Sequence, residues 1–402
     1  MSRQRAVSIL CVVVLLMGVP LGAQQEPTQP QTVSASDLRA AIDSLGKLDY
    51  DTRAKASRTI RRAAAAQVVP ALMQTVSDHP DGYVRYRALV LLTGFNDPRA
   101  RDVMRDALTS PNDRLRTVAY SFFEHNPDRG LIPNLMSALD KETGEFVRPS
   151  LVRALAAQAA PSVNPGVEGA RVRTALVREA GRGQDFFRTA VIEALGDFKA
   201  AYAFDTLSGI AGLDGPLQND TAIALGKIGD PRALNILANL QRTAPKASQP
   251  YVAAAICLLG VNCQTHEKFL VETLSFADSN AGYQPFLRAA AAGLAAVAVA
   301  GHSEAADALF TVGIPSRDPT RAPVSLALAT IALRRTPLIM TILENHPKRD
   351  QAIELMAEGF DILEEDYEKE RFFAFVRRAY WDAAENSPTR DLTRSLIGKL
   401  DF

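Results

Sequence analysis

One position that keeps returning constrains this chain more than any other feature. An apolar or aromatic residue, usually followed by a basic or polar one, recurs as Val84-Arg85, Leu115-Arg116, Val147-Arg148, Phe187-Arg188, Leu217-Gln218, Tyr251-Val252 and Leu287-Arg288. The successive steps are 31, 32, 40, 30, 34 and 36 residues. A period of that size belongs to stacked supersecondary units, so the usual length-based expectation of two or three globular domains does not apply. The single long step contains APSVNPGVEG at 159–168, whose prolines and glycines predict a longer loop between repeats.

Within each period the text alternates between two apolar-periodic segments of about 11 to 16 residues separated by Gly, Pro, Asp and Asn, which predicts helical hairpins. Ala194-Leu195-Gly196, Ala224-Leu225-Gly226 and Leu258-Leu259-Gly260 each place a glycine where a second helix is expected to stop. Asn96-Asp97-Pro98-Arg99-Ala100 and Gly229-Asp230-Pro231-Arg232-Ala233, 133 residues apart, predict first helices with Asp as N-cap and Pro in the first turn.

An Asp-Pro-Arg-Ala turn opening one helix and an apolar-Arg pair opening the next resemble HEAT repeats, in particular the short bacterial subtype found in phycobilin-lyase-like proteins. The resemblance spans about residues 36–335 and thins where Arg321-Ala322-Pro323-Val324 departs from the pattern. It implies an all-α fold, a right-handed α-solenoid of stacked antiparallel helix pairs. Residues 336–402 differ, with acidic residues crowded over Asp361–Glu370 and aromatics at Phe372, Phe373, Phe375, Tyr380 and Trp381. A terminal repeat has to cover an apolar face that has no next neighbour, so this segment is expected to be a C-terminal helical cap with the aromatics as its core.

The N-terminus reads as an export signal over 1–23. Arg3 and Arg5 precede an apolar stretch from Val7 to Met17, then Gly18, Pro20 and the small pair Gly22-Ala23, and cleavage is expected after Ala23. The apolar run is too short and too interrupted for a stable membrane span after processing, and Ala289–Ala300 is likewise too short. Residues 24–35 (QQEPTQPQTVSA) are expected to be a disordered linker. A periplasmic or secreted location follows.

Removing Arg3 and Arg5 from 45 basic residues against 45 acidic ones leaves a mature chain close to neutral. The charges are interspersed along its length, which argues against nucleic acid as a partner. His79, His125, His266, His302 and His346 include no pair at the helical spacing of a metal site, and no nucleophile elbow or phosphate-binding glycine loop occurs. No catalytic residue, metal or cofactor is therefore expected. Cys257 and Cys263 remain after processing, and a tight turn through Gly260 permits either a disulfide or two buried thiols.

The series Arg85, Arg116, Arg148, Arg188 and Arg288 is expected to be a structural ladder, with Asp81, Asp113 and Asp185 among its partners. Beside it, Tyr83, Tyr86, Arg87, Arg114, Tyr120, Phe146 and Phe186 are the candidates for partner binding, because large aromatic and guanidinium groups supply most interface anchors. The expected function is a noncatalytic protein-protein interaction scaffold exported to the cell envelope. The alternative is a lyase- or chaperone-like helper that binds a tetrapyrrole or a client protein, as the phycobilin-lyase resemblance implies.

Overall fold

The computed structural model describes residues 26–402. The signal segment 1–23 and the first two linker residues lie outside that range. Ten helix pairs follow one another. They are α1 (Ala35–Ser44) with α2 (Tyr50–Arg62), α3 (Ala65–Asp78) with α4 (Gly82–Thr93), and α5 (Ala100–Ala107) with α6 (Asp113–His125). Next come α7 (Ile132–Lys141) with α8 (Arg148–Ala159), α9 (Val167–Ala180) with α10 (Asp185–Asp197), and α11 (Phe204–Ala211) with α12 (Gln218–Ile228). Then α13 (Ala233–Thr243) pairs with α14 (Gln249–Leu258), α15 (Cys263–Ser279) with α16 (Gln284–Ala300), α17 (Ser303–Gly313) with α18 (Arg321–Arg334), and α19 (Thr336–Asn345) with α20 (Arg349–Ile362). A final hairpin joins α21 (Asp366–Asp382) to α22 (Pro388–Leu400).

Even-numbered helices stack on one another from α2 to α22, with the odd-numbered ones forming a second layer beside them. Small residues make the even layer possible. A side chain on Gly196 would stand 2.8 Å from Ala224 Cα, one on Gly226 would stand 2.5 Å from the Ala255 carbonyl oxygen, and one on Gly359 would stand 2.1 Å from that of Ser325. Gly196 and Gly226 thus lie inside α10 and α12 instead of ending them, because neighbouring backbones touch there. The stop of α12 is Gly229, at φ 80°, and Gly260 at φ 78° follows α14. The turns at Asp97 and Asp230 are built alike, each aspartate accepting from the backbone N–H two residues on at 2.9 Å. Helices α5 and α13 begin three residues after those aspartates, two residues later than an N-cap at the aspartate would place them.

The C-terminal segment does more than cap. Helices α19 and α20 continue the stack, whereas α21 packs on α18 at one end of the chain and on α4 and α6 at the other. Its Tyr367 is buried in the apolar core of the N-terminal repeats. Arg61 of α2 grips Glu370 of α21, and Arg58 of α2 pairs with Asp401 near the C-terminus. Phe373 stacks on Phe402 at 4.2 Å between ring centroids, beneath the Arg61 guanidinium. The solenoid is therefore closed on itself, with its even-numbered layer turned inward and α21 as the closing element.

The linker expectation is corrected as well. Gln31 bridges to Ala63, Val33 and Gln67 exchange two hydrogen bonds of 3.1 and 3.0 Å, and buried Glu26 pairs with Arg62. The Tyr380 hydroxyl donates to the Glu26 carbonyl at 3.0 Å and the Trp381 indole N–H to that of Pro27 at 3.1 Å. The segment is polar, but α21 and α2 offer its backbone and its one carboxylate specific partners, which composition alone does not reveal.

Candidate interaction surface

The two edges of the solenoid differ in chemistry. Turns from odd to even helices lie on one edge, and that edge carries exposed apolar side chains: Leu48, Tyr50, Phe146, Phe186 and Leu213. Phe146 is 81% exposed and Phe186 52%, yet the two rings pack edge to face at 6.3 Å. Such aromatic pairs prefer burial, and an edge-to-face pair left in water marks a candidate interaction surface. One repeat earlier, the Arg114 guanidinium lies 5.4 Å from the rings of both Tyr83 and Tyr86. Tyr83, Arg114, Phe146 and Phe186 therefore share one edge, each near the start of an even-numbered helix.

Three of the partner-binding candidates are used internally. Tyr86 donates its hydroxyl to Asp366 of α21, and Arg87 pairs with the same carboxylate at 3.0 Å, so both serve the closure. Tyr120 is 1% exposed, and burial pushes its phenol up to about 12. Its place on α6 directs it between helices together with Val118, Ala119 and Phe123, where no partner reaches it.

The arginine series is also an internal device. Arg85 donates to the Val76 carbonyl at 2.7 Å, Arg116 to that of Ser110 at 2.8 Å and Arg188 to that of Ala180 at 3.0 Å. Each is a carbonyl at or just after the end of the preceding odd-numbered helix, where acceptors lack intrahelical donors and attract positive charge. Gln218 and Gln249 do the same with the carbonyls of Ala211 and Ala244. So do Arg349 with Leu343 and Arg390 with Ala383, in the region where the apolar-Arg text no longer shows the register. Arg321 adds a bidentate pair with Glu358. Arg148 differs, lying 3.7 Å over the Phe187 ring, and Arg288 is exposed outside the pattern.

Charged groups on the inner layer link successive repeats. Arg153 holds Glu124 at 2.8 Å and Asp197 at 2.8 Å, and Lys227 holds Asp197 at 2.6 Å, a chain across α6, α8, α10 and α12. Burial acts to raise the Asp197 carboxyl, but Lys227 and Arg153 outweigh it and keep it below its ordinary value. Glu193 is raised by burial, and the Asp220 charge adds to the effect.

Among the described residues two groups have donor atoms close enough for a metal ion, namely Cys257, Cys263 and His302, and Glu124, His125 and Glu368. The structure joins Cys257 to Cys263, whose Cα atoms are 4.0 Å apart across the Gly260 turn, which removes both thiols as ligands. In the second group Arg153 already binds Glu124, and Arg371 lies 2.6 Å from Glu368 and 3.0 Å from His125, so guanidinium groups supply the positive charge. His125 itself bonds Glu368 at 2.6 Å, 243 residues along the chain, a partnership that local spacing does not reveal. His79 and His346 behave as turn residues, each accepting through Nδ1 from a backbone N–H two residues on at 3.1 Å.

A family model described as HEAT repeats matches residues 38–124, the stretch from α1 to the end of α6. The chain is a HEAT-like repeat protein. No curated protein sequence matches it. Among solved structures, this HEAT-like protein is similar to importin β, with 12% identity over 90% of this chain and 57% of that one and a TM-score of 0.36. It is also similar to the CpcE–CpcF complex of phycocyanin lyase from Nostoc sp. PCC7120, with 17% identity over 84% and 97% of the two chains and a TM-score of 0.26. Human deoxyhypusine hydroxylase is a third, with 16% identity over 56% and 96% and a TM-score of 0.24. The HEAT-like chain thus spans little more than half the length of the importin β structure it matches. Among the described residues no single helix is long and apolar enough to cross a membrane. The bent pair α18–α19 passes on composition, but Val324, Leu328 and Ile331 of α18 are core residues.

Proposed function

We propose that this protein is a noncatalytic interaction scaffold of the cell envelope that holds a protein partner against the aromatic edge of its solenoid. The observation that carries this reading is the exposed Phe146–Phe186 pair, continued along the same edge by Leu48, Tyr50 and Leu213. Partners are anchored by a few large apolar side chains that lose water together, and a row spaced by the repeat period offers several such anchors to one extended surface. Export is read from Arg3, Arg5 and the apolar run before Ala23. Against catalysis stands the pairing of the inner charged groups, which occupies Glu124 and Asp197 with Arg153 and Lys227.

The test compares the protein with its Phe146→Ser/Phe186→Ser variant as baits for the periplasmic proteins of the source cell. A protein retained by the wild type and lost with the variant, both baits having the same melting temperature, supports the reading. Equal retention by both, or none by either, sinks it. A concentration-dependent dimer that the substitutions abolish would show instead that the edge is covered by a second copy.

A further inference from the structure

The opposite edge, where even helices turn into odd ones, holds the seam of the closure. There the ends of α4 and α6, the end of α18 and one face of α21 border an open recess of about 780 Å³. Tyr367, Arg371, Phe375 and Arg378 reach it together because they recur every three or four residues along α21. Its lining brings Arg101, Arg334, Arg371 and Arg378 against a single carboxylate, that of Asp97, and Asp97 is already held by the guanidinium of Arg99 at 2.8 Å. Phe122, Tyr367 and Phe375, with Leu92 and Leu333, supply apolar wall.

The closure accounts for only part of this positive charge. Arg334 reaches Glu365 at 2.8 Å, and Arg371 shares Glu368 with His125. Arg101 shares Asp128 with Arg105, at 3.3 and 3.2 Å. Arg378 forms no ion pair among the described residues, although it stands beside Arg377, whose own charge burial already disfavours. Cations gathered in a recess repel one another more strongly than in water, and a carboxylate or sulfonate answers guanidinium forks two bonds at a time.

We propose that the seam recess binds an organic anion with an apolar, aromatic body, its acid group between Arg371 and Arg378 and its body against Phe122 and Phe375. The volume lies within the range of ordinary small-molecule sites, and a wall that mixes guanidinium groups with the aromatic faces of Phe122, Tyr367 and Phe375 fits a ligand with an acid group and an apolar body. Because N-terminal and C-terminal repeats both line the recess, an occupant touches the two ends of the chain at once.

The probe is 1-anilinonaphthalene-8-sulfonate, titrated into the purified protein and followed by fluorescence. Saturable binding of one probe per chain is expected, weakened about tenfold or more in Arg378→Gln, the loss of one charge-assisted contact. Phe375→Ala should weaken it too, whereas Arg378→Lys should retain most of it. The edge variant Phe146→Ser/Phe186→Ser should bind as the wild type does, which separates this site from the proposed protein-binding surface. Arg378 makes no internal ion pair, so its substitution leaves the fold in place, to be checked by circular dichroism. Wild-type affinity in Arg378→Gln, or loss of binding in the edge variant alone, would overturn the proposal. Displacement of the probe by inorganic phosphate at equal concentration would show a site for bare anions and overturn the aromatic part of it.

Discussion

Arg61 and Glu370, separated by 309 residues in sequence, form a doubly hydrogen-bonded ion pair of 2.9 and 2.7 Å to one carboxylate oxygen, with both side chains buried. Removing one partner leaves an uncompensated charge inside the protein, which costs about 3–5 kcal/mol. Glu370→Gln and Arg61→Met should each lower the urea midpoint accordingly. The double substitution Arg61→Met/Glu370→Met removes both charges of the pair and should recover part of the loss, the remainder reflecting buried Arg377, which lies 4.0 Å from Glu370 and loses that carboxylate. A double variant as unstable as the sum of the singles would contradict this account.

Glu368 makes the closure sensitive to acid. Burial acts to raise its carboxyl, but the bond to His125 and the charges of His125, Arg334 and Arg371 bring it down to about 2 from 4.5. A carboxyl lowered in the folded state contributes fully above its unfolded value and loses that contribution as pH falls through the folded one. The stability tied to Glu368, on the order of 3 kcal/mol, should therefore be present above about pH 4.5 and fade toward pH 2. Urea unfolding measured across that window should be less steep in pH for Glu368→Gln than for the wild type. Identical slopes would remove Glu368 from the explanation.

The glycines of the even layer separate contact from conformation. Gly359→Ala places a methyl group 2.1 Å from the Ser325 carbonyl oxygen and should cost about 1–3 kcal/mol or more as α18 and α20 are forced apart. Gly209, within α11, has nothing within 4 Å of an added methyl. Gly209→Ala should be neutral or stabilising by about 0.5–1 kcal/mol through helix propensity alone. Thermal melts of the two variants should move in opposite directions.

For the arginine series, Arg188→Met keeps the apolar stem but loses the bond to the Ala180 carbonyl, a change of about 1–3 kcal/mol. Arg288→Met, at an exposed position outside that pattern, should stay within about 0.5 kcal/mol. Chemical denaturation of both decides whether the shared sequence position implies a shared role.

Much of this architecture was legible in the text. The apolar-Arg register located even-numbered helices from α4 to α16, because its residues fall in the first turns of those helices, where Arg85, Arg116, Arg188 and Gln218 reach back to the end of the preceding helix. The glycines at 196 and 226 were legible as special but not as helix interiors. A glycine that ends a helix and one that admits a neighbouring backbone look the same in one dimension. The closure was hidden for a similar reason. Tyr86, Arg87 and His125 read as surface groups, and their partners Asp366 and Glu368 lie some 240 to 280 residues away. Local patterns carry no sign of such distances. The edge aromatics Phe146 and Phe186 were legible as candidates because their position beside the register residue varies while the register does not.

In an open repeat array each unit is braced only by its neighbours, so the terminal units fray first and melt at lower stress than the middle. Here α21 gives the first repeats a second neighbour, and among the described residues both ends of the stack are braced. Amide exchange in α2 and α4 should consequently be as slow as in α10 or α12, and loss of the α21 contacts should speed exchange at both ends of the chain together.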